Sequence, residues 1–188
     1  MNSELLLEFP FEFESERLLI RGPLPGDGKV VRPAVLESVD ELRPWMPWAM
    51  NIPDEDGYEA LVRQWHLDFM ARKNLILFLF HKETGQFIGG SGLHDINWTV
   101  PRFEIGYWVR STMARQGYIM ESTQAITNFA FDVLKAERMQ IRVDSENYKS
   151  AAIPPKLGYT LEGTHLAIKR HHITNELRDM LVFAKLRS

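Results

Sequence analysis

Residues Arg102 to Ile119 read R-F-E-I-G-Y-W-V-R-S-T-M-A-R-Q-G-Y-I, and the spacing of their side chains changes halfway along. Arg102, Glu104, Gly106 and Trp108 alternate with Phe103, Ile105, Tyr107 and Val109, which is the two-residue period of a strand. Ser111 to Gly117 is a short polar turn. From Tyr118 onward apolar residues recur at helical spacing, through Ile119, Ile126, Phe129 or Ala130, and Val133. A strand that feeds a glycine-containing turn into a long helix is a device for holding an anion. The first helical turn presents unpaired N–H groups and the positive end of the helix dipole. Gly117 lets a phosphate approach the main chain, and Arg115 and Gln116 add donors beside it.

The strand itself carries chemistry. Glu104 lies two residues before Gly106, whose missing side chain leaves space on the same face. A carboxylate and a vacancy just upstream of an anion-binding helix end suggest a group-transfer site. The structural alternative for Glu104 is a strand carboxylate paired with Arg102 or Arg110.

These residues also carry a resemblance. E-I-G-Y-W-V-R-S followed by A-R-Q-G-Y-I resembles the central strand and pyrophosphate loop of the GNAT N-acetyltransferase superfamily, and most closely its RimJ/RimL-type ribosomal-protein enzymes. The opening S-E-R-L-L-I-R, the loop L-R-P-W-M-P-W-A and the later N-Y-K-S…K-L-G-Y-T-L-E-G match in the same order. The loop departs from the family pattern. Ala114, Arg115, Gln116, Gly117, Tyr118 and Ile119 keep only the middle glycine, and Arg115 stands where this subfamily usually has another. Backbone donors do not depend on side-chain identity, so a diphosphate site is still expected.

The resemblance implies a GNAT-like α/β fold: a mixed, mostly antiparallel sheet, a splayed central strand pair and flanking helices. The strands carrying Glu104 and Ile141 would part to admit a pantetheine arm. It implies acetyl-CoA as co-substrate, no metal, and direct attack by a primary amine in a ternary complex. The acceptor is either a protein N-terminus or a small amine. An N-terminal amine with pKa near 7.8 costs about 1 kcal/mol to deprotonate at pH 7, and a lysine amine near 10.4 about 4.6 kcal/mol. Glu104 is the expected general base, directly or through one water. Ser150, the Ser of N-x-x-S, is placed by the resemblance to protonate the leaving thiolate, with Asn147 on the coenzyme arm. Ser150 is otherwise an early-helix hydroxyl bonded to backbone. Backbone N–H groups around Trp108 and Val109 would polarise the thioester carbonyl. Some relatives carry a base after L-E-G, where this chain has Ala167-Ile168-Lys169-Arg170. That vacancy supports the alternative of a catalytically inactive acyl-CoA sensor.

Composition bounds the rest. The 188 residues are expected to form a single domain, 1–188. With 22 Lys plus Arg against 25 Asp plus Glu, a net charge of −3 argues against a general nucleic-acid binder. There is no cysteine, which excludes disulfides and thiolate nucleophiles. The N-terminus lacks the basic flank and apolar run of a signal peptide, and Leu75–Phe80 is far too short to cross a bilayer. A cytoplasmic monomer or homodimer without membrane partners is expected.

Along the chain, residues 1–16 form a lead-in with Phe9, Phe11 and Phe13 packed on the domain. Arg17–Arg21 is a first strand, and Lys29–Leu42 a helix broken at Pro33. The proline-rich Arg43–Pro53 is irregular, and Trp45 and Trp48 either seal the core or wall a substrate pocket. Asp54 caps a helix to Arg72. Leu75–His81 and Phe87–Leu93 form a hairpin around Glu83-Thr84-Gly85. Gly89-Gly90-Ser91-Gly92 reads as strand rather than nucleotide loop, because no helix follows. His94 and Asp95, near where Glu104 should lie, cap a turn or assist chemistry, and His94 and Tyr107 are expected to contact the substrate. Tyr118–Leu134 is a helix, Met139–Asp144 a strand, and Asn147 caps a helix shortened by Pro154 and Pro155. Tyr159–Leu166 and Arg178–Leu186 close the sheet around a solvated basic tip, Lys169-Arg170-His171-His172.

Overall fold

A computed structural model describes residues 3–187. The alternating segments become strands of one eight-stranded sheet: β1 (Glu12–Glu14), β2 (Leu18–Arg21), β3 (Leu75–His81), β4 (Phe87–Asn97), β5 (Arg102–Val109), β6 (Arg138–Asp144), β7 (Thr160–Arg170) and β8 (Leu177–Leu186). Their spatial order is β1-β2-β3-β4-β5-β6-β8-β7. Every neighbouring pair is antiparallel except β5 and β6. The expected mixed, mostly antiparallel architecture is therefore the one observed.

Helices cover both faces. On one lie α1 (Gly28–Glu37), α2 (Val39–Leu42) and α3 (Glu55–Met70), whose Val31, Val35, Tyr58 and Val62 pack on Phe78, Phe80 and Phe87. On the other lies α4 (Tyr118–Asp132), whose Ile126, Phe129 and Ala130 pack on Leu77, Leu79, Phe103 and Ile105. Successive residues of β5 thus serve different cores, as a two-residue period requires. Two short helices, α5 (Tyr148–Ala151) and α6 (Ile153–Lys156), follow β6. They divide at Ala152, one residue before the segment containing Pro154 and Pro155.

Two expectations need correction. The N-terminal lead-in does pack on the core, with Phe13 stacked 4.2 Å from Phe129, but it also adds the edge strand β1. The first helix runs through Pro33 and breaks at Ser38 instead. Ser38 is fully buried; its hydroxyl donates to the Ala34 carbonyl at 2.7 Å and accepts from Ser111 N–H at 2.9 Å. A side chain that competes for helical carbonyls and serves a distant loop ends the helix more effectively than a proline the helix accommodates.

The feature that positions the site is the way β5 meets its two neighbours. With β4 it is paired from Arg102 to Val109, around one bulge between His94 and Asn97. With β6 the registered pairs are Arg102–Arg138, Phe103–Met139 and Glu104–Gln140, and pairing then stops. β6 instead stays paired to β8 along its whole length. Beyond Glu104 a seam opens between β5 and β6, as expected for the strands carrying Glu104 and Ile141.

Candidate active site

A cavity of about 570 Å³ lies between the sheet and the α1–α3 layer. Its floor includes Gly90 and Gly106, from neighbouring strands. Gly92 is opposite Gly106, and Gly90 is opposite Trp108. Each absence of a side chain is used: a Cβ on Gly90 would come within 2.5 Å of Trp108 Nε1, and one on Gly106 within 3.3 Å of His94 Cδ2 and Nε2. The indole of Trp108 and the imidazole of His94 therefore lie across the glycines. The walls are Trp48, Ile52, Tyr58, Trp65 and Phe78, and among the described residues no Asp, Glu, Lys or Arg lines the cavity. Gly89-Gly90-Ser91-Gly92 is strand, as read from the sequence, and of its residues Gly90 and Ser91 line the cavity.

His94 and Glu104 are cross-strand partners but face different surroundings. The imidazole lines the cavity, and its Nδ1 lies 2.8 Å from Asn74 Oδ1. Since a carbonyl oxygen only accepts, the proton sits on Nδ1 and Nε2 keeps its lone pair. Burial pushes the His94 pKa below its usual value. The Glu104 carboxylate turns instead toward the seam. Its Oε2 is 2.5 Å from Arg142 Nε on β6 and 3.4 Å from Gln140 Nε2. The ion-pair partner is neither Arg102 nor Arg110, because Arg102 reaches Asp95 and Arg110 reaches Glu37. Asp95, with φ +45° at the bulge, points away from the cavity.

Tyr107 and Ser150 are brought together across the seam. The Tyr107 hydroxyl donates to the Ser150 carbonyl, and the Ser150 hydroxyl donates to the Tyr107 oxygen, both at 3.1 Å. Burial pushes the Tyr107 phenol up to about 12, against the hydrogen bond from Ser150, so it stays protonated across the physiological range. Asn147 Oδ1 accepts from Ser150 N–H at 3.1 Å, the cap expected of it.

At the far end of β5 lie the turn and helix start from which an anion site is expected. Gly117, with φ +85°, precedes α4, and Tyr118 and Ile119 begin its first turn. Arg115 adopts φ +63°, so the position requires a left-handed backbone even though the chain places an arginine there. Gln116 folds its amide back onto the Thr112 carbonyl. Arg17, unassigned in the sequence reading, lies beside this turn. Its Nη1 donates to the Gln116 carbonyl at 3.1 Å, its guanidinium sits 4.4 Å over the Tyr118 ring, and Glu121 holds it at 2.7 Å. Hydrogen bonds from Ser15 and Arg17 outweigh burial and keep Glu121 below its usual pKa. The start of the turn is tied to the opposite layer: Arg110 donates to Glu37 at 2.7 Å, as does Thr112, and Ser111 donates to Glu41 at 2.8 Å. The Arg110 hydrogen bond holds Glu37 down at about 2, against desolvation and with help from Thr112.

The tryptophan loop divides the two residues that the sequence left open. Trp48 lines the cavity, 6.2 Å from Trp108 in an edge-to-face pair, whereas Trp45 is half-buried outside it. The basic tip is not merely solvated. His171 Nε2 lies 2.8 Å from the Pro44 carbonyl and His172 Nε2 2.7 Å from the Arg43 carbonyl, so the β7–β8 hairpin pins this loop. Among the described residues no cluster of three metal-ligating side chains exists, and no helix is long and apolar enough to cross a membrane. Asn74, Arg142 and Arg17 were missed because each acts on a partner distant in the chain, where local spacing carries no signal.

Comparison with known proteins places this geometry in context. Residues 17–160 match the family model described as "Acetyltransferase (GNAT) domain". The "Putative ribosomal N-acetyltransferase YdaF" of Bacillus subtilis (strain 168) is 25% identical over 150 residues, 79% of this chain and 81% of that protein. Among solved structures, the RimL ribosomal L7/L12 alpha-N-protein acetyltransferase in complex with coenzyme A superposes with a TM-score of 0.84 at 19% identity, covering 94% of this chain and 96% of that one. The microcin C7 self immunity acetyltransferase MccE, in complex with acetyl-CoA and AMP, also gives 0.84, at 18% identity over 95% and 97% of the two chains.

Proposed function

The chain belongs to the GNAT acetyltransferase family, and we propose that it acetylates a primary amine carried on an apolar or aromatic body. The observation that supports this reading is the position of the uncharged, aromatic-walled cavity beside the place where β5 and β6 part. The seam and the turn before α4 fit acetyl-CoA: an open strand edge for an extended arm, and free N–H groups with Arg17 and Arg115 for a diphosphate. Bound there, acetyl-CoA supplies an acetyl group activated as a thioester.

The residues divide the remaining work. Main-chain groups of Trp108 and Val109, at the end of β5, hold the acyl carbonyl. Tyr107 and Ser150, facing the seam, stabilise the departing sulfur. A thiol with pKa near 8.5 needs only modest help. The Arg142-bound Glu104 supplies fixed charge at the mouth of the seam. Trp48, Trp65 and Phe78 receive the body of the acceptor, which is a small amine or an N-terminal residue with an apolar side chain. A polyamine is disfavoured, since a second ammonium buried among these walls would find no carboxylate.

The test is release of free thiol from acetyl-CoA with benzylamine, tryptamine, phenylalanine amide, spermidine and a serine-initiated peptide. The apolar amines are expected to react with the lowest KM. Trp48→Ala is expected to raise that KM roughly tenfold while leaving the KM for acetyl-CoA unchanged. Preference for spermidine would overturn the proposed acceptor class.

A further inference from the structure

We infer that His94, oriented by Asn74, is the group that takes the proton from the attacking amine. The inference rests on the acetyl-transfer reading and assigns a step within it. Three observations place the imidazole there. It lines the acceptor cavity, whereas Glu104 does not. Its Nε2 lies over Gly106, in the space that glycine leaves open next to the seam. Its Nδ1 is committed to Asn74 Oδ1 at 2.8 Å, so the lone pair is on the nitrogen that faces Gly106.

The neighbouring groups leave His94 without a rival. Tyr58 from α3 and Tyr107 from β5 also line the cavity, and burial raises both phenols. Across the ladder, Glu104 is held by Arg142. The loop over the cavity contributes Asn51 and no charged residue, and Asp95 points outward with Arg102. Burial lowers the His94 pKa, so the basic form is present at neutral pH. That same burial disfavours an ammonium in the cavity, which makes a local proton acceptor useful.

The step balances without another reactant. The amine nitrogen bonds to the acetyl carbonyl carbon, and the carbon–sulfur bond breaks. The nitrogen's proton passes to His94 Nε2, and the thiolate takes one from solvent relayed through the hydroxyl pair at Ser150 and Tyr107, which is left as it began. His94 returns its proton to solvent before the next turnover.

The test has a spectroscopic arm and a kinetic arm. Long-range proton–nitrogen spectra of histidine-labelled protein should show His94 protonated on Nδ1, with a pKa below that of an ordinary histidine. Asn74→Ala should mix the tautomers. An Nε2–H tautomer in the wild type would overturn the inference whether or not any amine is turned over. With phenylalanine amide as acceptor, His94→Gln should lower kcat by roughly 100- to 10,000-fold. It should also remove the acid limb of the kcat profile while leaving coenzyme A affinity by calorimetry unchanged. Asn74→Ala should lower kcat about tenfold, and added imidazole should restore part of the activity of His94→Ala. Full turnover in His94→Gln, with loss in Glu104→Gln, would assign the proton to Glu104 instead. Failure of the wild type to bind coenzyme A would sink the acetyl-transfer reading itself, and the tautomer would still be measured.

Discussion

Strand β5 has two neighbours and treats them oppositely. Toward β4 the ladder runs its full length; toward β6 it ends after Glu104. The closed side contributes a floor from which side chains are missing, and the open side contributes an edge from which a partner strand is missing. One vacancy suits a compact acceptor and the other an extended donor. They meet at Gly106 and Tyr107, where the proposed reaction would bring its two substrates into contact. Catalysis by proximity would draw on this arrangement, since holding two reactants in contact can supply about 7–11 kcal/mol of a barrier.

The comparison predicts that the closed side is less tolerant. Gly106→Leu should place a branched side chain against His94, where even a Cβ comes to 3.3 Å. Activity should fall by at least about 100-fold with coenzyme A affinity retained. Equal loss of coenzyme binding would show that the two spaces are not separate. On the open side, Ser150→Ala and Tyr107→Phe each remove one member of the pair at 3.1 Å. Each should lower kcat about tenfold or less, because the leaving thiolate needs little assistance, and each should cost roughly 1 kcal/mol of stability. A solvent isotope effect on kcat that disappears in Ser150→Ala would link the pair to sulfur departure.

The smallest effect concerns the clamp between α1 and the phosphate turn. Glu37 has a folded-state pKa of about 2, below its ordinary 4.5. Its contribution is therefore complete above about pH 4.5 and is lost as the pH falls toward 2. The pair is about a quarter exposed on each side, so after solvent screening the contribution is about 1 kcal/mol. Glu37→Gln should lower stability by that amount at pH 7 and by almost nothing at pH 2.5. Chemical denaturation at the two pH values checks this.

Most elements could be read locally. The alternation from Leu75 to His81 and from Arg102 to Val109, the Asp54 cap and the change of period at Gly117 each depend on residues close in the chain. Misreadings occurred where a distant partner intervened. Pro33 looked like the helix breaker, but Ser38, bonded to Ser111, breaks the helix. The candidate site follows the same rule. Trp48, Tyr107, Ser150 and Gly117 were singled out by motif, whereas Asn74, Arg142 and Arg17 were not.

By itself the sequence determined the strand–turn–helix unit, the family resemblance and the pair His94 and Glu104 near one another, because period, glycine placement and motif order are properties of neighbouring residues. Only the tertiary structure decided which of those two groups faces the cavity. Both belong to one ladder, but Arg142 draws the carboxylate to the seam while Asn74 turns the imidazole over Gly106. Those partners lie on other strands or at their ends, and the direction of a side chain follows the nearest complementary charge or hydrogen bond in space.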